Sequence, residues 1–410
     1  MTMQDPATAP KRRGGRPFGV VTMATRATRA RTTGMLTALT VLAAVLPAGH
    51  ASAREFAGLS KGGSPGADCA EGAVSPITSG PGAPGPHAVE RLEVPFSASK
   101  EPVTVFMPKD GGGTPRPVIF FSHGYGPNLW SIYQPLLEHM ASRGQIVVFG
   151  VFPLSLVTMK ERYEILWKGY EATVQKLGAR MDLTRVGFVG HSFGGGANPT
   201  MAYEGIVEKG WGANGAFLLE LAPWYTYGMS DAKFARFPKR VLHAVQVYDQ
   251  DHMNDHRMAW DLHDQFKTSV NWMLRVRSQT VRGCTMAVEH MAPGRARNAR
   301  LLAYGVLRPL DVMTQAAFER GDPGDLLRVM KPSPEGYQPL EVLDRVPSEA
   351  GASYRFEWSG RMNPRKPGGE GARAQFDDLS EGLDLPVAEE PPARKGLLDR
   401  LRERRESKSN

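Results

Sequence analysis

Apolar residues between positions 88 and 288 fall into short unbroken runs that alternate with longer stretches of helical period. Residues 88–96 and 102–107 open the series as two strand-like segments. The apolar block 117–122 reads as a buried strand, and 130–142 repeats at helical spacing. The same pairing recurs as strand 145–151 with helix 161–177, and as strand 186–189 with helix 197–207. Strand 216–221, then strand 241–247 with helix 255–266, continue it, and 280–288 reads as the last strand. Strands that are apolar throughout, rather than alternating, are buried on both faces, which happens when helices cover both sides of a parallel sheet. The order therefore predicts an α/β fold with a mostly parallel central sheet and helices on both faces. Two amphipathic stretches, 299–318 and 326–330, read as terminal helices, and no internal repeat is visible.

The two ends read differently. Seven Lys/Arg and one acid precede Arg54, and an apolar run at 35–47 leads to Ala51-Ser52-Ala53. A basic region, a short apolar region and an A-x-A site are the three parts of a secretory signal peptide, with cleavage expected after Ala53. The apolar run is short for a membrane span, so no integral span is expected once the leader is removed. Residues 54–87, rich in Gly, Pro, Ala and Ser, read as a flexible N-terminal segment, and 88–345 as the folded domain. Residues 346–410, dominated by charge, Pro and Gly, read as a largely disordered tail.

Charge changes the picture little. The leader carries +6 of the formal +8, so the basic balance belongs mainly to the leader. No basic run interleaved with aromatics occurs in the domain, which argues against a nucleic-acid partner. Cys69 and Cys284 are the only cysteines, and an exported protein could pair them or keep Cys284 as a buried thiol.

The chemistry concentrates in Arg185–Gly196, RVGFVGHSFGGG. Its Gly190-His191-Ser192-Phe193-Gly194 is G-x-S-x-G between a predicted strand and helix, a turn that exposes the serine hydroxyl. Such a hydroxyl needs a base, and the base an orienting acid. Five histidines follow Ser192, and four of them (His243, His252, His256, His263) cluster around one strand and its helix. Only His290 lies beyond a further predicted strand, in VEHMAPG, and it is the candidate base. The loop YDQDHMNDH offers the acid. Asn254 and Asp255 read as a cap for the next helix, which leaves Asp251, preferred for its position before the helix, and Asp249; Glu220 at the preceding strand end is a third candidate. His252 and His256 at i, i+4 could share a metal, but no third ligand stands at a telling spacing, so no metal is expected. For an oxyanion, the sequence supplies the amide of Phe193 and, in Ser122-His123-Gly124-Tyr125-Gly126, that of Tyr125.

These segments resemble the α/β-hydrolase superfamily, and within it the bacterial cutinase and polyester-hydrolase branch near the dienelactone-hydrolase and platelet-activating-factor-acetylhydrolase groups. SHGYGPN is similar to the oxyanion loop, DLTRVGFVGHSFGGG to the nucleophile elbow, and LAPWY (Leu221–Tyr225) to the Pro-Trp loop after the sixth strand. The resemblance spans roughly 117–293. It implies the α/β-hydrolase fold, and it makes Trp224 a candidate substrate contact, where a core tryptophan is the plainer alternative. Phe193 stands where cutinases commonly carry methionine and looks more like the acetylhydrolase elbow. In that group the acid follows the sixth strand, which keeps Glu220 in play.

The expectation is an exported, secreted or periplasmic serine ester hydrolase acting on a small-molecule or polymeric ester without a cofactor. Ser192, His290 and Asp251 would be its catalytic residues. An acyltransferase on the same residues, or a catalytically silent scaffold with a binding role, are the rivals; competition between alcohols and water separates the first. N-terminal sequencing of protein recovered from the exported fraction should begin at Arg54; an intact leader there would contradict the assignment.

Overall fold

The computed structural model describes residues 66–109, 113–294, 298–344, 353–360 and 362–365, with side chains from residue 70 onward. Residues 1–53, where a leader is expected, the remainder of the N-terminal segment to 65 and residues 366–410 lie outside the described residues.

The strands are β1 (Val89–Val94), β2 (Val103–Pro108), β3 (Arg116–Ser122), β4 (Ile146–Phe149), β5 (Met181–His191), β6 (Gly215–Leu221), β7 (Leu242–Tyr248) and β8 (Val270–Val276). Late in the chain come β9 (Gln279–Val281), β10 (Cys284–Met286) and β11 (Leu340–Leu343). Nine of them form one mixed sheet in the order β1-β2-β4-β3-β5-β6-β7-β8-β11. The six neighbours from β4 to β8 run parallel, while β1, β2 and β11 pair antiparallel at the two edges. Every residue of β2, β4 and β7 is buried. That is why these segments are apolar throughout: both faces of the sheet are covered.

Helices α1 (Gly66–Ala73), α2 (Gln134–Ser142), α3 (Met159–Leu177), α4 (Phe193–Ala202), α5 (His256–Gln265) and α6 (Arg308–Phe318) accompany the sheet. The start of α3 is fixed by a capping box. Thr158 accepts from the Glu161 amide while the Glu161 carboxylate accepts from the Thr158 amide, satisfying two end donors at once. Asp255 caps α5 by accepting from the Arg257 amide.

Four expectations about elements change. The apolar run at 280–288 is no strand of the central sheet. It divides into β9 and β10, a separate hairpin whose turn residues Arg282 and Gly283 both have positive φ, as a two-residue hairpin turn of matching twist demands. The strand next to β7 is instead β8, whose partly exposed Asn271 and Arg275 break the apolar signal. Edge strand β11 is too short to register as a pattern. The helix expected at 299–318 contains a π-helical stretch, Leu302–Leu307, before α6.

The ends also carry structure. Residues 66–87, read from composition as flexible, contain α1 and a loop tied to the domain by the Gly82 amide donating to Asp311 Oδ2 at 2.7 Å. Cys284 is buried and disulfide-bonded, and the chain's other cysteine, Cys69, has its side chain outside the described residues. Residues 353–360 and 362–365, composition-wise part of the tail, lie against the domain through Phe356, Trp358 and Met362.

Asp311, 3 % exposed, gathers a wider junction. Its carboxylate accepts from His139 Nε2 at 3.0 Å and stands 3.3 Å from Arg143 Nε, besides holding Gly82. Removing one member of such a buried cluster strands the others without partners. Asp311→Ala should therefore lose about 3 kcal/mol of stability or more, read from urea unfolding, and an unchanged midpoint would contradict the role.

Candidate active site

Strand β5 ends at His191 and helix α4 begins at Phe193, so Ser192 alone makes the turn between them. It does so at φ +53° and ψ −118°, a conformation that costs a non-glycine residue about 1–3 kcal/mol. The surroundings hold it there. The Ser192 amide donates to Leu221 O at 2.9 Å, and the Ser192 carbonyl accepts from Trp224 N at 2.8 Å and Gly196 N at 3.0 Å. The turn also needs a bare backbone at Gly194, where a Cβ would stand 2.0 Å from Ser122 O; no other residue fits against β3 there.

His290 reaches Ser192 from a loop after β10. The loop is registered by a parallel bridge between Gln250 and Glu289, with Gln250 N donating to Val288 O at 2.9 Å. Asp251 and His290 are the residues next along each chain, so the bridge sets their side chains face to face. His290 Nδ1 lies 2.8 Å from Asp251 Oδ2, and His290 Nε2 lies 2.9 Å from Ser192 Oγ. The Asp251 side chain is 1 % exposed and that of His290 11 %.

Burial alone pushes the Asp251 carboxyl up. The His290 ring and the amides of Met253 (2.7 Å) and Asn254 (3.2 Å) outweigh it and hold the group below the usual carboxylate range. An ionised Asp251 only accepts, so Nδ1 of His290 carries the proton and Nε2 is left bare toward the Ser192 hydroxyl. That is the tautomer a general base requires.

The other acid candidates lie elsewhere. Asp249 accepts from Ser278 N at 2.8 Å and stands 3.6 Å from Arg275 Nε. Glu220 is fully buried inside β6, where it accepts from Asn198 Nδ2 at 3.0 Å and lies 3.0 Å from His243 Nε2. His252 is exposed, whereas His256 is buried with Nε2 donating to Tyr248 O at 3.0 Å, so the i, i+4 pair does not face one centre. No group of three metal-ligating side chains occurs among the described residues.

The loop after β3 comes within reach of the serine at Gly124, where a Cβ would be 3.4 Å from Ser192 Cβ. Tyr125 follows. Its ring meets that of Phe193 edge-on at 5.9 Å, and its hydroxyl donates to Leu154 O at 2.5 Å. Phe193 opens α4, so its amide has no carbonyl one turn back within the helix. Trp224 is 5 % exposed and packs on Phe193 and Phe356 at 5.7 and 5.8 Å, so most of its surface is engaged within the protein.

Three residues near the serine had no such reading in the sequence. Asn254, expected to cap α5 beside Asp255, instead donates from Nδ2 to Ala222 O at 2.9 Å, with Ser192 Oγ at 3.4 Å. Its neighbour Asp255 does the capping. His191 and Tyr133 form a one-way relay. The Gly124 amide donates to the Tyr133 hydroxyl (3.0 Å), which donates to His191 Nδ1 (2.7 Å), and His191 Nε2 donates to the His290 carbonyl (2.9 Å). Because a carbonyl and an amide fix the two ends, every proton in the relay has a single place. A histidine directly before a G-x-S-x-G serine was the visible signal.

Among known proteins, no family model matches the chain, and no curated protein does either.

Two buried histidines of this region carry a pH signature. Burial pushes His191 down to about 3 and His123 down to about 4. Below the ordinary histidine value of about 6.5 the unfolded chain takes up these protons and the folded chain does not, so acid favours unfolding. Each histidine should remove about 1.4 kcal/mol per pH unit from about pH 6 down to its folded value. Calorimetric melting should fall steadily from pH 6.5 to 4.5, and a flat Tm over that range would contradict the assignment.

Proposed function

We propose that this chain is a serine ester hydrolase of the α/β-hydrolase fold. The observation that carries the reading is the continuous series Asp251–His290–Ser192, at 2.8 and 2.9 Å, ending on a serine held at positive φ. A buried carboxylate, an imidazole in the matching tautomer and a half-buried serine hydroxyl on a sharp turn make a nucleophile that a water-exposed serine cannot match. The strand order supports the fold assignment: an antiparallel pair, then a parallel run with its crossover between β4 and β3, with the serine at the C-terminal end of the central strand β5.

In the proposed reaction Ser192 Oγ attacks the ester carbonyl while its proton passes to His290 Nε2. Asp251 stabilises the imidazolium and keeps the ring oriented. The amides of Tyr125 and Phe193 receive the oxyanion of the tetrahedral intermediate. His290 then gives its proton to the departing alcohol, leaving an acyl-Ser192, and a water activated by the same ring releases the acid. Trp224, which packs on the Phe193 ring directly after the serine, would border the acyl side. The residues named need no cofactor for these steps. With the leader read as a signal peptide, the protein would act outside the cytoplasm, on small-molecule or polymeric esters.

Hydrolysis of p-nitrophenyl acetate and butyrate tests the reading. Ser192→Ala should lower kcat by about 10⁶-fold and Asp251→Asn by about 10⁴-fold, whereas Asp249→Asn should stay within about threefold of the parent. Full activity in Ser192→Ala would reject the mechanism. A loss at Asp249→Asn with activity retained at Asp251→Asn would reassign the acid.

A further inference from the structure

We infer that residues 353–360, with 362–365, are a working part of the active site, a clasp that positions Asp251 and Asn254; the inference rests on the hydrolase reading above. The loop from Asp249 to Asp255 has no helix or ladder of its own, yet it carries the acid and the amide beside Ser192. Its first half is held by the domain, through Asp249 N to Val276 O, Gln250 N to Val288 O and Asp251 N to Tyr248 O. The main chain of its second half, 252–255, is taken up by the C-terminal segment. Arg355 N donates to His252 O at 2.9 Å, Phe356 N to Met253 O at 2.8 Å, and Asp255 N to Phe356 O at 2.9 Å, with Asn254 and Phe356 forming a parallel bridge. Trp358 N adds a bond to Asp255 Oδ2 at 2.9 Å.

The same segment grips the loop after β6. Tyr225 Oη donates to Glu357 O at 2.5 Å and Tyr227 Oη to Met362 O at 2.6 Å, while the Phe356 ring packs on Trp224. Those two loops meet only a bond or two from Ser192: Trp224 N holds its carbonyl, and Asn254 Nδ2 stands 3.4 Å from its Oγ. The clasp therefore joins the acid loop to the loop that steadies the nucleophile. Its sequence fits the task. Tyr354, Phe356 and Trp358 are half-buried and alternate with exposed Arg355 and Glu357, the period of a strand with one face against the protein.

A loop fixed in this way arrives at the reaction already ordered, and a displacement of about 1 Å in such a group costs on the order of 100-fold in rate. The experiment compares the full-length parent with Phe356→Pro, which removes the amide bonded to Met253 O, and with the double variant Tyr225→Phe/Tyr227→Phe, which removes only the two hydroxyl anchors. On p-nitrophenyl butyrate both should lose at least about tenfold in kcat with KM within twofold of the parent. In proton NMR the downfield resonance of the Nδ1–H between His290 and Asp251 should broaden or vanish, a change that a merely stabilising segment would not cause. Should Phe356→Pro fail to fold, the double variant decides, since it leaves both rings in place. Parent-like kcat and an intact downfield resonance in the folded variants would overturn the clasp. A parent that hydrolyses no ester would instead overturn the hydrolase reading on which it stands.

Discussion

The backbone of Ser192 sits at φ +53°, and the C-terminal edge of the sheet is organised around keeping it there. The strain of about 1–3 kcal/mol is offset by bonds from three directions: to the end of β6, to the loop after β6 and to the first turn of α4. Close approach of the Gly194 backbone to β3 sets how near the β3 loop can come, and thus where Gly124 and Tyr125 stand relative to the serine. Ala222, directly after β6, is a second non-glycine residue at positive φ, and its carbonyl holds Asn254. Two of the five non-glycine residues at positive φ among the described residues thus stand where the polar side chains converge.

Around that point hydrogen bonds have directions as well as distances. Asp251 accepts three donors, which keeps it ionised against its burial and dictates the tautomer of His290. The carbonyl of the same His290 is tied through His191 and Tyr133 to the Gly124 amide. His290 is thereby fixed on its side chain by Asp251 and on its main chain by His191, the neighbour of Ser192. A neutral His191 is essential to this arrangement, and burial secures its neutrality far below physiological pH.

Much of the architecture was legible because buried parallel strands must be apolar throughout, so 117–122, 145–151, 216–221 and 241–247 stood out. Strand β8 did not, since Asn271 turns a polar side chain to His243 and Arg275 pairs with Glu341 on the edge strand. Ser192 and its glycines could be read from spacing because the turn tolerates few residues. Which carboxylate stands beside His290 depends on the Gln250–Glu289 bridge, a contact across 39 positions of chain that no local pattern records. The same limit hid Asn254 and the aromatic alternation at 354–358. Both matter through what they touch, and the charged composition around the aromatics pointed toward solvent.

The central claim is that Ser192 is a nucleophile activated by His290. Its most direct test is to treat the folded protein with a fluorophosphonate and locate the adduct by peptide mass spectrometry. The account predicts one phosphonyl group per chain, on Ser192, formed many times faster than in His290→Ala. A properly folded protein that takes up no label, or takes it up at another residue, would contradict it.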